Sequence, residues 1–360
     1  MPISLDSLSM HQLIRMTAEQ DGSDLLVKAG QVPMTKKYNV VRALDPELPV
    51  LDDRTVKRML TELMTERMLR IFEETMEMDL GFTVEGLCRV RCNIYMQRGT
   101  WASVCRVVPL RIKTIQELGL PPILAELTKH RTGLILVTGP TGSGKTTTLA
   151  AMLDLINQER ECHMVTVEDP LEFVHQDKKS YVSQREVGID TLDFQPALRA
   201  VLREAPDVIL IGEMRDVTTM GIALQAGETG HLVFSTVHTA SAYETMDRII
   251  NMFPPHEKIH MCQRMGGSLR AIIAQKLVPR ADGNGRVAAN EILICTPTVT
   301  KAIEDGHFSD LYHMMNEGQF WGMQTMNQSL VRYVKAGIIT EEVALKYAGV
   351  ASELKQMLRR

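Results

Sequence analysis

The run Gly139-Pro140-Thr141-Gly142-Ser143-Gly144-Lys145-Thr146 follows the pattern G-x-x-x-x-G-K-[ST], and its residue types describe a site for a polyphosphate. Glycines let successive backbone N–H groups turn inward toward phosphate oxygens, and a helix N-terminus behind them adds its positive dipole. Lys145 supplies an ammonium for the β- and γ-phosphates, Thr146 a hydroxyl for Mg²⁺, and Thr147 stands beside them in the first turn. The flanks agree. The apolar run GLILVT (133–138) leads in as a buried strand, and a helical run from Thr147 to Leu155 leads out. These residues predict a nucleoside triphosphate site.

Two carboxylates end apolar runs further along. Glu213 follows VILI and Gly212 in the manner of a Walker B strand, with Gly212 at the usual aspartate position. A direct carboxylate contact to Mg²⁺ is then lacking there, which leaves Glu213 to orient water or to hold the metal through water. A carboxylate suits this work because it accepts a proton as water attacks the γ-phosphate. Its structural alternative is a helix N-terminal residue favoured by the dipole. Glu168, after MVTV, is a second candidate, whereas Asp169 before Pro170 reads equally as turn chemistry. His231 and His238 bracket the run LVFSTV. Seven steps of extended chain put them about 23 Å apart, so they do not share a metal. His238 is placed to sense a γ-phosphate; His231 reads as a packing or subunit-contact residue.

From residue 123 to 360, strands alternate with helical stretches, the pattern of a parallel sheet with crossover helices. The runs before Gly139, Glu168, Gly212 and His238 all end in polar or glycine groups, and ligands of open parallel sheets lie beyond the carboxyl ends of the strands. Residues 1–110 read as a mixed α+β domain. Val56, Met59, Leu60 and Leu63 recur at helical spacing behind Asp52 and Asp53. Alternation over Cys88–Met96 and Trp101–Val108 predicts a hairpin centred on Arg98-Gly99, with Cys92 opposite Cys105, Met96 opposite Trp101 and Arg91 opposite Arg106. Like charges directly opposed are unfavourable, and no nearby carboxylate is evident in the sequence, which suggests an anion from elsewhere; the alternative is a pair of solvated arginines. Residues 111–122 read as an interdomain linker with a short helix, closed by Pro121-Pro122.

At 360 residues and net charge −4, the chain holds two cores and gives no support for a nucleic-acid surface. The opening MPISLDSLSMHQLIRM lacks the pattern of a signal peptide, and no apolar run approaches membrane-spanning length, so a cytoplasmic location is expected. Six cysteines without a C-x-x-C pair argue against zinc or a disulfide framework and for buried free thiols.

GPTGSGKT, VEDPLEFVH (167–175), APDVILIGEMRD (205–216) and GETGHLVFSTVHT (227–239) resemble the Walker A, Asp, Walker B and His boxes of the secretion ATPase superfamily. Within it, QREVGIDT, DRIINMFPP, LRAIIAQKLVP and GMQTMNQSL, with GSDLLVKAG and RVRCNIYMQRG at the front, resemble the type IV pilus retraction ATPases of the PilT/PilU kind. The resemblance implies a PAS-like N-terminal α+β domain, a RecA-like P-loop domain with a mostly parallel sheet, and a homohexameric ring that holds ATP between them. It implies an ATP-hydrolysing motor at the inner-membrane face of the pilus machine, with a platform protein and a second retraction ATPase as partners, returning pilin to the membrane. It supports Lys145 as phosphate ligand, Glu168 and Glu213 as catalytic carboxylates and both histidines as His-box members. It raises Arg91, Arg98 and Arg106 to candidate phosphate contacts. The missing C-x-x-C pairs favour retraction over extension. TPTVTKAIE (296–304) departs from the AIRNLI signature of PilT and SELKQML (352–358) is closer to PilU, so a main and an accessory retraction motor both stay open. A nucleotide-binding regulator of a partner motor is the remaining alternative.

Overall fold

A computed structural model describes residues 5–37 and 40–359. Its chain groups into two units, Met1–Arg111 with Glu172–Val174, and Ile112–Leu171 with His175–Arg360.

In the first unit, β1 (Asp24–Lys28), β2 (Met34–Lys37), β3 (Val40–Ala43), β4 (Glu77–Val84), β5 (Cys88–Gln97) and β6 (Thr100–Pro109) form an antiparallel sheet in the order β3-β2-β1-β6-β5-β4. Asp52 caps the helix Asp53–Thr61 by accepting from the Thr55 N–H at 2.7 Å. Val56, Met59 and Leu60 of that helix, with Leu13, Ile14 and Phe72 from its neighbours, bury the alternate face of β5 and β6. Phe72 and Trp101 stack at 4.5 Å between ring centroids. The β5–β6 hairpin has the expected register, Arg91 opposite Arg106 and Met96 opposite Trp101. Its loop is the pair Arg98-Gly99, with φ of 49° and 78°. Positive φ at both central residues makes the turn whose twist matches two paired strands.

Two expectations for this hairpin are corrected. Cys92 and Cys105, directly opposed on the buried face, are joined as a disulfide, where free thiols were expected; Cys88, Cys162, Cys262 and Cys295 are free. The arginine pair also has carboxylates of its own. Arg106 donates through Nε to Asp24, its cross-strand partner on β1, at 3.1 Å, and Arg91 lies 3.9 Å from Glu172, which groups with this unit. Asp24 lies some eighty residues upstream, so only strand pairing brings it alongside.

In the second unit, β7 (Gly133–Thr138), β8 (His163–Glu168), β9 (Tyr181–Glu186), β10 (Val208–Ile211), β11 (Leu232–Val237), β12 (Leu269–Pro279) and β13 (Arg286–Ile294) form a sheet ordered β13-β12-β7-β11-β10-β8-β9. Every neighbouring pair is parallel except β12 with β13. Both faces of the central strands are covered, so β7, β8, β10 and β11 read as mainly apolar, buried runs. Leu134 and Leu136 enter one layer with Met220, Ala223 and Leu224, and Ile135 and Val137 enter the other with Leu149, Met152 and Ile156. The short helix expected within 111–122 is instead a series of turns, with Leu118 N–H on Thr114 and Leu120 N–H on Ile115. Pro121 and Pro122 lack the N–H groups that would continue a helix, and the helix Ile123–Leu127 starts after them. C-terminal helices pack through Leu330, Ala344 and Leu354, with Ile339 between two of them, against Val278 and Ala289 of β12 and β13.

Candidate nucleotide site

β7 delivers the chain to the glycine loop at the carboxyl edge of the sheet, and the helix Lys145–Glu159 leaves it. Gly139 has φ of 144° and Gly144 φ of 85°, both outside the range that side chains readily adopt. At Gly139 a Cβ would also lie 2.3 Å from the Gln275 carbonyl oxygen, so the tight approach to β12 requires glycine there. Pro140, Thr141 and Gly142 form the exposed rim, while Ser143 and Lys145 are buried. The Lys145 ammonium folds back over the loop and donates to the carbonyls of Gly139 at 2.9 Å and Pro140 at 3.2 Å. Ser143 Oγ is buried without a partner among the described residues. Thr146 and Thr147 are half-buried in the first helical turn. A cleft of about 370 Å³ opens beside the loop, lined by Pro140 to Ser143 and by Lys276, Arg286 and Lys346. Backbone donors, a helix N-terminus and lysine and arginine side chains together favour a polyanion.

The catalytic candidates stand along the same edge. Glu168 ends β8 and is buried, with Gln184 Nε2 at 3.5 Å from its Oε1. Glu213 follows β10 and Gly212. A Cβ on Gly212 would meet the Glu168 Cα and the Val167 carbonyl at 3.2 Å each, so the backbone of β8 occupies the space that a side chain at the usual aspartate position would need. The Glu213 carboxylate accepts from Arg215 Nη2 at 2.8 Å and lies 3.3 Å from His238 Nε2. Burial pushes its carboxyl up, but Arg215 and His238 outweigh burial and hold it below the ordinary glutamate range. Glu213 is therefore ionised at neutral pH. It stands well before the helix Val217–Glu228, whose N-cap is Asp216, so a helix N-terminal role does not account for it.

β11 carries His231 and His238 just beyond its two ends. His231 Nδ1 is 2.9 Å from the Ala226 carbonyl at the far end of the sheet, away from the loop. His238 instead lines a cleft of about 550 Å³ with Pro140, Thr239 and Lys276. The structure thus brings together the glycine loop, Glu168, Glu213 and His238, and leaves His231 out. Arg91, Arg98 and Arg106 belong to the first unit, Arg98 exposed in the hairpin turn.

Residues 102–341 match the family described as Type II/IV secretion system protein. The chain belongs to this family. It is 42% identical to the type IV pilus retraction ATPase PilT of Pseudomonas aeruginosa, over 95% of this chain and 99% of that one. It is 38% identical to the type IV pilus ATPase PilU of the same organism, over 98% and 92% of the two chains. A solved structure of the pilus retraction motor PilT with bound ADP superposes with a TM-score of 0.90 at 40% identity, covering 97% and 99%.

Two residues of this edge carry no motif in the sequence. Arg215 sits two positions after Glu213 in GEMRD, donates to it at 2.8 Å and, with His238, holds its carboxyl down. Gln275, the lone amide in the apolar run LRAIIAQKLVP, touches the glycine loop from β12. A buried polar residue inside an otherwise apolar strand is the signal that would have found it.

Proposed function

We propose that this chain is an ATP-hydrolysing motor that powers type IV pilus retraction. One observation carries the chemistry: the glycine loop with Lys145, and Glu213 with His238, stand at the carboxyl edge of one parallel sheet in a PilT-like chain. Identity to PilT of 42% against 38% to PilU supports a main over an accessory retraction motor.

In this reading, loop N–H groups from Gly142 to Thr146 bind the phosphates. The Lys145 ammonium exchanges its two loop carbonyls for phosphate oxygens, and Ser143 Oγ gains a partner. The loop fits Mg²⁺ at Thr146, where the ion would neutralise charge on the phosphates. Glu213 and Glu168 orient the attacking water. Because Arg215 and His238 hold the Glu213 carboxyl low, it is a better water-orienting acceptor than a strong base, and a rise in its basicity requires those partners to move. His238, resting on Glu213 and lining the cleft, links the state of the γ-phosphate to that carboxylate. Arg91, Arg98 and Arg106 are the candidate phosphate contacts from the first unit, a role for which Arg106 and Arg91 would have to leave Asp24 and Glu172, and a homohexamer would work at the inner-membrane face of the pilus machine with its platform protein.

Phosphate release by the purified chain, together with pilus imaging in a deletion strain, tests the function. Hydrolysis with excess, non-retracting fibres after deletion is expected. A chain that binds ATP without turnover is instead a nucleotide-dependent regulator.

A further inference from the structure

Gln275 occupies the middle of β12 among Ile272, Ile273, Ala274 and Val278, and is only 2% exposed. An amide in such a place costs stability unless every polar atom is partnered. Here it is. Nε2 donates to the Ser143 carbonyl at 2.7 Å, and Oε1 accepts from Thr148 Oγ1 at 2.8 Å and from Asn290 Nδ2 at 3.0 Å. The Ser143 carbonyl is an acceptor only, which fixes the nitrogen of the Gln275 amide on that side.

The loop also meets this residue at both of its ends. A Cβ on Gly139 would come within 2.3 Å of the Gln275 carbonyl oxygen, and one on Gly144 within 2.9 Å of Gln275 Nε2. Glycine at Gly139 is what lets the β12 backbone lie this close, and at Gly144 it leaves room for the Gln275 amide. Thr148, the third contact, is one turn into the helix that follows.

We propose that Gln275 is a positioning residue for nucleotide binding, holding the Ser143–Gly144 peptide in the orientation that aims its N–H at phosphate. The physical basis is the planarity of the trans peptide: a carbonyl pinned toward β12 turns the Gly144 N–H the opposite way, into the loop's interior. Without the amide, the buried Ser143 carbonyl lacks a donor, and Gly144 offers little steric resistance to rotation of that peptide. A loop N–H would then face away from the anion. The inference rests on the reading of residues 139–146 as the phosphate cradle, and adds to it a residue on a different strand.

Gln275→Met keeps the length of the side chain and removes its donor and acceptor. ADP affinity by calorimetry, KM and kcat by phosphate release, and thermal unfolding of the nucleotide-free chain are measured together. ADP binding about tenfold weaker, with KM raised more than kcat falls, is expected for the loss of one buried hydrogen bond that acts on the loop. Wild-type ADP affinity and KM in the folded variant, whatever its melting temperature, overturns the proposal and leaves Gln275 a packing residue. If Gln275→Met does not fold, Thr148→Val decides: it removes one donor to Oε1, and about threefold weaker ADP binding is expected, while unchanged binding overturns the proposal. Failure of the wild-type chain to bind ADP would instead remove the cradle reading itself, and this inference with it.

Discussion

On the proposed reading hydrolysis turns on Glu213, and its neighbours define what to expect of it. In Glu213→Gln the shape survives and the anionic acceptor is lost. ATP binding should persist while phosphate release falls by about 10² or more, the scale of losing the carboxylate that accepts from the attacking water; normal turnover at saturation would reassign it to binding. His175 gives a prediction of another kind. It is buried next to the Gln184 amide, and desolvation holds its imidazole down to about 4, against 6.5 in the unfolded chain. Folded His175 is neutral, so between those values the unfolded chain binds more protons and is favoured as pH falls. The penalty is absent above pH about 6.5 and grows toward pH about 4, to about 3 kcal/mol in all. Urea unfolding across that range should show a slope that is flattened in His175→Asn.

At the scale of elements, the glycine loop and β12 work as one piece. Gly139→Ala would force a Cβ into the Gln275 carbonyl at 2.3 Å and a side chain onto φ of 144°. We expect ADP binding to weaken by tenfold or more, with a stability loss of about 1–3 kcal/mol seen by calorimetric unfolding. The β5–β6 hairpin depends on its turn in the same way. Gly99→Val places a branched side chain at φ of 78° and should cost about 1–2 kcal/mol, read by chemical denaturation of the whole chain. Much of this element was legible beforehand. Strict alternation over Cys88–Met96 and a turn pair at Arg98-Gly99 were enough to set the register, because a slip by one residue would turn every apolar side chain to the other face. Its charge balance was not legible. Asp24 meets Arg106 only because β1 pairs with β6 and not with β5, a choice made by sheet order.

For the whole molecule, retraction requires hydrolysis to be coupled to assembly. Lys145→Ala should abolish phosphate release while the chain stays folded, and in cells it should reproduce the excess fibres of a deletion; retraction at wild-type speed would remove the loop from the motor cycle. Sedimentation with a non-hydrolysable ATP analogue should show a hexamer, and a monomer under the same conditions would argue against a ring.

The sequence by itself determined the glycine loop, the strands that end at Glu168, Glu213 and His238, and the hairpin, because each is written in contiguous residues whose period or spacing has one physical reading. It also separated His238 from His231, since an extended strand of that length keeps its ends apart. Only the tertiary structure decided which distant groups meet. Gln275 on the Ser143 carbonyl and Asp24 on Arg106 depend on strand order, and the hairpin register that set Cys92 opposite Cys105 did not say that the two would be joined. Arg215 on Glu213 was near in sequence, yet its contact depends on how the chain turns after β10. Periodicity reports which face a side chain takes; it carries no information about which neighbouring strand supplies the partner, and that is settled when buried polar and charged groups must each be matched as the sheet closes.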